Sequence, residues 1–410
     1  MDIKKCVEQL NSVLSDSLSV GEDIRSVGAT FYVGDASDTV AEIVSKNAPS
    51  AKVVLLSTEK TFNEYGLQII EKVKAVGGFP INLILPDDVD FSTDSVCSLF
   101  NIHEDVRVAV VLDCELYAVA AYFATVRNIP LISVVYRFEP KGLLAKKVAI
   151  KNGGDTDVFG ISAFRHVVFS EDLVLNDEDR ASAYAYAASK IVGLTDYRIS
   201  QAISHEHVNK VAYYMARGAV LGVFSMSTDD SDYDEKLFMH CMKLEIADSI
   251  TDGKLLSFSS AAVASYLVTK SFYAKPYVEL AAACVILELY DSCFSVGADT
   301  PNLPPDYMGR AEKLSKTLCF TENNVLKNLR AQIAEFNFKR KRIATVKETL
   351  KSEMEKSAKI AEKIMERYFE LGGKTACDSA ILADAVILSG DTPLSVNGMS
   401  LVRESCVLEK

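Results

Sequence analysis

The feature that most constrains the fold is an alternation of short apolar runs with amphipathic segments through the first 175 residues. The runs at 52–56 (KVVLL) and 106–112 (VRVAVVL) are rich in β-branched residues, which is typical of strands covered on both faces. Alternation of this kind predicts a parallel sheet with helices on both sides. Strands are expected at 29–33, 52–56, 80–85, 106–112, 130–135, 147–151 and 166–169, and helices at 37–46, 61–76, 93–101 and 115–127.

From about residue 178 the apolar residues recur only every three or four positions, which predicts helices alone. These helices are expected at 179–195, 197–224, 232–250, 259–270, 277–295, 305–318 and 380–388, with one long helix at about 325–369, a stretch without Gly or Pro. The acidic segment 170–179 (SEDLVLNDED) is a candidate domain boundary. We therefore expect a Rossmann-like α/β domain at 1–175 and an all-helical domain at 176–410.

The charge balance excludes one class of partner. The 410-residue chain has a formal net charge of −12 and a pI of about 5.1, whereas nucleic-acid binding needs a basic surface. The chain contains no run of 18 apolar residues, so we predict no membrane span. Its start (MDIKK) lacks the apolar core of a signal peptide. The nine cysteines are scattered without a CxxC pair. This pattern favours reduced thiols in the cytoplasm.

One segment departs from the acidic character of the chain. Residues 326–368 hold 12 basic and 6 acidic side chains, with the highest density at Lys339–Arg342 (KRKR). Two interpretations remain open for the predicted helix 325–369. It is either a solvated face that pairs with acidic neighbours, or a surface that binds a protein partner or a phosphate group.

Several local strings resemble the sn-glycerol-1-phosphate dehydrogenases, in the superfamily of glycerol dehydrogenase, iron-containing alcohol dehydrogenase and dehydroquinate synthase. The strings lie at 52–66, 108–134, 164–174, 189–200 and 360–393, so the resemblance covers most of the chain in order. It implies an N-terminal nucleotide-binding α/β domain, a C-terminal helical domain of the dehydroquinate synthase type, and a homodimer or larger assembly. It also implies NAD(P) and a divalent zinc, nickel or iron ion in the cleft between the domains.

The positions that match the family's cofactor motifs carry other residues here. Leu112, Asp113 and Cys114 match the glycine-rich pyrophosphate turn, and Thr58 matches the Asp that often closes the second strand. Leu112 adds a side chain where the phosphates must approach the backbone. Asp113 is a good helix N-cap, and its charge would repel another unit negative charge 4 Å away by about 4 kcal/mol at an effective dielectric constant of 20. Thr58 could bond a ribose, but capping the next helix is the favoured interpretation.

The remaining family positions are equally altered. The Asp and Lys of the helix that follows the turn match Ala118 and Ala121, the Pro-Thr turn matches Val135-Tyr136, and the Asp-Gly pair matches Lys141-Gly142. For the metal, the Asp place matches Tyr186, and the two His places fall within 259–269 and 272–278, which contain no His. We expect Tyr184, Tyr186 and Tyr197 to be core aromatics. The five histidines (103, 166, 205, 207 and 240) are expected to be ordinary surface or core residues.

Three functional hypotheses follow from these positions. The favoured one is a catalytically degenerate homologue that acts by assembly with a partner or by sensing a phosphorylated small molecule. The second is a working NAD(P)- and metal-dependent oxidoreductase for a polyol or polyol phosphate, such as glycerol 1-phosphate and dihydroxyacetone phosphate, with unusual site residues. The third is an interaction role through 325–369 without a small ligand.

Overall fold

The computed structural model describes most of the chain in two compact units. The described residues are 1–17, 27–86, 101, 105–152, 155–204, 209–256, 259–269, 275–295, 360–375 and 377–390, with 309, 312–313, 315–316, 326–327 and 330. The first unit comprises Met1–Gly153, Asp157–Asp179 and Ser227–Asp252, and the second comprises Gly154–Thr156, Arg180–Met226 and Gly253–Lys410. Three predicted helical segments lie wholly or mostly outside the described residues, namely 93–100, most of 305–318, and 331–359 with the basic residues Lys339–Arg342.

A six-stranded sheet forms the centre of the first unit, with the strand order β1-β8-β5-β4-β2-β3. Every neighbouring pair is parallel, which confirms the predicted fold class. Its strands are β1 (Ala29–Gly34), β2 (Lys52–Thr58), β3 (Phe79–Leu85), β4 (Val106–Val111), β5 (Leu131–Val135) and β8 (Arg165–Ser170). The strand predicted at 147–151 is outside this sheet, because β6 (Lys147–Asn152) pairs with β7 (Asp155–Gly160) in a separate ribbon.

Seven helical segments lie among the described residues of 1–127. They are α1 (Ile3–Ser17), α2 (Ala36–Asn47), α3 (Glu59–Thr61), a π-helical turn (Phe62–Gly66), α4 (Leu67–Ala75), a 3₁₀ turn (Cys114–Leu116) and α5 (Tyr117–Arg127). The helix predicted at 61–76 is thus interrupted by a π-helical segment. Side chains of α2, α4 and alternate strand positions, such as Val53, Leu55 and Val110, form one buried cluster. Burial of both faces explains why the central strands are continuously apolar.

The outer edge of β1 is covered by a side chain of α1. The Asn11 Nδ2 group donates to the carbonyl of Phe31 at 3.0 Å, and the amide of Phe31 donates back to Asn11 Oδ1. One asparagine therefore satisfies two backbone groups that an edge strand would otherwise leave unpaired.

One helix from the second half of the sequence packs within the first unit. This helix, α8 (Tyr233–Ile250), belongs to the segment Ser227–Asp252. The ring of Phe238 lies 4.7 Å from Phe138 and 5.2 Å from Phe169, measured between centroids. The carboxylate of Glu245 accepts the amide of Leu144 at 3.0 Å. Helical periodicity in the sequence does not reveal which unit a helix joins, and the expected domain boundary near residue 175 stays a prediction.

The other described helices of the second half are α6 (Asp177–Ser204), α7 (Lys210–Ser225), α9 (Ser260–Thr269), α10 (Pro276–Ser295) and α11 (Ser379–Ser389), with 360–370 also helical. The predicted break at 195–197 is wrong, since α6 continues to Ser204, and α7 starts with Asn209 as its N-cap. Buried Asp196 accepts the amide of Ser260 and the hydroxyl of Tyr290, which ties α6 to α9 and α10. In the part of the chain that the structure describes, no helix is both long and apolar enough to cross a membrane.

Candidate functional site

The candidate site lies where the connections from neighbouring strands diverge at the carboxyl edge of the sheet. Strand β2 leads to β3 on one side, while β4, the other neighbour of β2, leads to β5 on the opposite side. A reversal of this kind opens a crevice at the carboxyl ends of the two strands, and open α/β sheets bind their ligands there. Thr58 is the last residue of β2, and Asp113 follows the end of β4 by two positions.

Hydrogen bonds to the carboxylate of Asp113 span this crevice. Asp113 Oδ2 accepts the backbone amide of Thr58 at 2.7 Å, and Asp113 Oδ1 accepts the hydroxyls of Thr58 and Thr61. The three donors belong to Thr58 at the end of β2 and to Thr61 at the end of α3. Asp113 therefore occupies hydrogen-bond donors at the point where a ligand anion would otherwise be received.

The structure corrects one prediction for this crevice and confirms another. Asp113 stands at the backbone N-cap position of the 3₁₀ turn, but its side chain makes no capping hydrogen bond there. The prediction that the Asp113 side chain caps its own helix is wrong. The neighbouring strand β2 brings Thr58 within reach of the carboxylate, which accepts hydrogen bonds from Thr58 instead. Thr58 itself caps α3 as predicted, since its hydroxyl accepts the amide of Thr61.

Apolar side chains fill the positions around Asp113. Leu112 is 4% exposed and joins the core cluster, while its amide extends the ladder to the carbonyl of Leu56. Ala118 and Ala121, which match the family's Asp and Lys, are buried in α5. A diphosphate needs close backbone approach and unoccupied donors. The residues present here do not fit that group.

A second acidic contact lies on the other side of Asp113. The Cys114 thiol donates to Glu139 Oε2 at 3.0 Å. Burial and the nearby Glu139 carboxylate raise the pKa of Cys114 well above its usual value, so the thiol is protonated at neutral pH. The loop that carries Glu139 is anchored by the Arg137–Asp179 ion pair and by Arg165, whose guanidinium donates to the carbonyls of Leu143 and Ala145.

Two stacked tyrosines complete the residues that the structure brings to this edge. The rings of Tyr65 and Tyr136 are 3.6 Å apart between centroids and within 9° of parallel. Tyr65 lies in the π-helical turn after β2, and Tyr136 follows β5. Burial raises the pKa of Tyr65 to about 12, with a further contribution from its hydrogen bond to Glu64. Sequence reasoning missed the stack, because 71 residues separate the partners and only the sheet brings them together.

The described positions that match the family's metal ligands carry no His, Cys, Asp or Glu side chain. Tyr186 is 2% exposed, and Tyr184 is similarly buried, which confirms both as core aromatics, whereas Tyr197 is only partly buried. The segment 259–269 lies largely in α9, and 272–274 lies outside the described residues. Among the described residues no group of three or more His, Cys, Asp or Glu side chains could hold a metal ion. The described residues therefore do not fit a divalent catalytic metal, which needs about three protein ligands.

Burial lowers the pKa of both described histidines. Tyr32 Oη and His166 Nδ1 form a 3.1 Å hydrogen bond, and burial lowers the pKa of His166. Burial, together with the charges of Lys243 and Lys236, lowers the pKa of His240 to about 4. His103, His205 and His207 lie outside the described residues.

The shifted pKa of His240 predicts that acid destabilises the chain. The folded state holds the pKa of His240 at about 4, below the value of about 6.5 expected on unfolding, so below pH 6.5 the unfolded state binds the extra proton more readily. The stability contribution is complete above that pH and is lost as the pH falls towards 4. We expect His240→Gln to lose less stability than the natural chain between pH 7 and pH 5, as measured by urea midpoints. Equal losses in the two proteins would contradict this assignment.

Comparison with solved structures places the chain in a known fold. An archaeal halo-thermophilic alcohol dehydrogenase from a Red Sea brine pool matches with a TM-score of 0.58 at 12% identity, over 92% of this chain and 97% of that one. An iron-containing alcohol dehydrogenase of Thermotoga maritima matches with a TM-score of 0.56 at 9% identity over the same shares. The corresponding enzyme of Thermococcus thioreducens gives 0.50 at 12% identity, over 84% and 98%.

These matches define a fold class. The chain has the dehydroquinate synthase-like fold, which it shares with the iron-containing alcohol dehydrogenases. At such low identities the likeness concerns the fold alone. No family model matches the sequence, and the search of curated proteins finds no match.

Proposed function

We propose that this chain is a catalytically degenerate relative of the iron-containing alcohol dehydrogenases that acts through assembly with a protein partner or with itself. The observation that carries the proposal is the carboxylate of Asp113 at the switch point, bonded to Thr58 and Thr61. A site for a dinucleotide needs those donors and a glycine-rich approach. This chain offers a negative charge and the side chain of Leu112 instead.

The electrostatics of the same edge favour assembly over the sensing of a phosphorylated molecule. Asp35 caps α2 at the end of β1, and Glu139 lies beside Cys114. Together with Asp113 they place three carboxylates at the carboxyl ends of parallel strands. A phosphate group 4 Å from any one of these carboxylates would be repelled by about 4 kcal/mol, for unit charges at an effective dielectric constant of 20.

The wider role follows from the same argument. We propose a cytoplasmic protein that forms a homo-oligomer or binds a partner, with the basic segment 325–369 as the candidate partner-binding element. The resemblance to sn-glycerol-1-phosphate dehydrogenases then concerns ancestry of the scaffold. Fold stability depends on the core and catalysis on a few grafted residues, so one can persist without the other.

A cofactor titration tests the proposal. We expect the purified chain to show no saturable binding of NADH or NADPH at millimolar concentration and to contain no stoichiometric zinc, nickel or iron. Light scattering during gel filtration should give a mass above the 44.9 kDa of one chain. If the chain alone is a monomer, this larger mass should appear when a protein partner is added.

The alternative function has its own clear signature. Saturable NADH binding, one metal ion per chain and reduction of dihydroxyacetone phosphate would identify a working glycerol-1-phosphate dehydrogenase with unusual site residues. The observation in its favour is that the alcohol dehydrogenase fold covers 92% of this chain. Turnover of that substrate would overturn our proposal.

A further inference from the structure

The interior of the second unit contains an ion pair that the cofactor argument does not use. Lys190 on α6 donates to Glu279 on α10, and the two side chains are only 4% and 0% exposed. The Lys190 ammonium also lies 4.6 Å from the ring centre of Tyr186, one helical turn earlier on α6. A single positive charge is thus held between a carboxylate and an aromatic face.

The burial of this pair calls for a reason. Moving an ammonium and a carboxylate out of water is costly, and apolar side chains of similar volume often serve stability as well or better. Ordinary ion pairs of this chain, such as Lys316–Glu312, remain largely exposed. The Lys190–Glu279 pair therefore marks a place in the helical unit where an interior cation is retained.

In the sequence, the pair lies next to positions that match the family's metal ligands. Tyr186 stands at the Asp place, and Glu279 directly follows the segment 272–278 that matches the second His place. The Lys190 ammonium lies against the ring of Tyr186 and forms an ion pair with Glu279. Because the ammonium is covalently part of the chain, it needs no ligand set of three side chains.

We propose that the Lys190 ammonium takes the place of the divalent cation and joins α6 to α10 through Glu279. The inference rests on the proposed function, since a chain that has given up metal chemistry still has to compensate the Glu279 carboxylate. The helical unit then needs no metal ion at this place, because the positive charge beside Glu279 is part of the chain.

The first experiment measures thermal unfolding of the full chain with and without Lys190. We expect Lys190→Ala to lower the melting temperature on the order of 10 °C, because removing one partner of a buried ion pair is strongly destabilising. Millimolar n-propylammonium, which replaces the missing atoms, should restore part of the loss. Lys316→Ala removes an exposed partner of an ion pair in the same unit and should change the melting temperature little.

Further variants keep the test informative if Lys190→Ala does not fold. Lys190→Met/Glu279→Leu removes both charges at similar volume and should fold with nearly natural stability. Tyr186→Asp/Lys190→Ala places a second carboxylate near Glu279 and should be stabilised by added Mn²⁺ or Zn²⁺. The natural chain should respond neither to these ions nor to a chelator.

Several results would overturn the inference. Stabilisation of the natural chain by Zn²⁺ or Ni²⁺, or destabilisation by a chelator, would mean that a metal is still bound. An unchanged melting temperature for Lys190→Ala would mean that the ammonium has no such role. These readouts are independent of NADH binding, so a failure here and a failure of the proposed function can be told apart.

Discussion

The Phe238→Ala variant should lose about 3–5 kcal/mol in the free energy of unfolding of the first unit. Phe238 is fully buried and contacts the rings of Phe138 and Phe169. Truncation leaves a cavity between α8 and the sheet, and large-to-small changes at such sites cost this much. The loss is a large fraction of the 5–15 kcal/mol that stabilises a typical protein.

The measurement has to report on one unit. The chain contains no Trp, so hydrogen exchange followed by mass spectrometry is the suitable method, since it resolves peptides of β5, β8 and α8. Phe79→Ala is the matched control, because Phe79 is 59% exposed on β3. Faster exchange confined to α8, with β5 and β8 unaffected, would mean that the helix does not stabilise the sheet.

The parallel sheet could be predicted from sequence because its signal is local. The apolar runs at β2 and β4 reflect burial on both faces, which every strand in the middle of such a sheet must meet. The placement of α8 in the first unit carried no comparable signal. The contacts of α8 with the rest of the first unit, such as that of Phe238 with Phe138, join residues 100 positions apart in the sequence.

The site could be predicted only in part for the same reason. Local rules correctly identified Thr58 as a cap, whereas Leu112 as an obstruction stays a prediction. They misassigned the partner of Asp113, because the contact with Thr58 depends on β2 and β4 being neighbours in space. The Lys190–Glu279 pair spans 89 positions. The only local sequence signal for this pair is the four-residue spacing of Tyr186 and Lys190, which places an aromatic ring and a cation on the same helix face.

Asp113→Asn should raise the affinity for NADH by up to about a thousandfold, if the charge of Asp113 is what excludes the diphosphate. The figure follows from a repulsion of about 4 kcal/mol at 4 Å and an effective dielectric constant of 20, with each 1.4 kcal/mol equal to a factor of ten. Asparagine retains one oxygen to accept the amide of Thr58, so the turn should stay in place. Fluorescence titration with NADH measures the change.

The control for this substitution removes an equal charge from the other end of the same strand. Asp105 precedes β4 and forms an exposed ion pair with Arg107, so Asp105→Asn alters the net charge of the chain equally but lies at the opposite edge of the sheet. Improved binding in Asp113→Asn alone would locate the repulsion at the switch point. Equal improvement in both variants would show that the overall charge of −12 excludes the dinucleotide. No improvement in either, with the circular dichroism unchanged, would leave the Leu112 side chain as the obstruction and contradict the electrostatic argument.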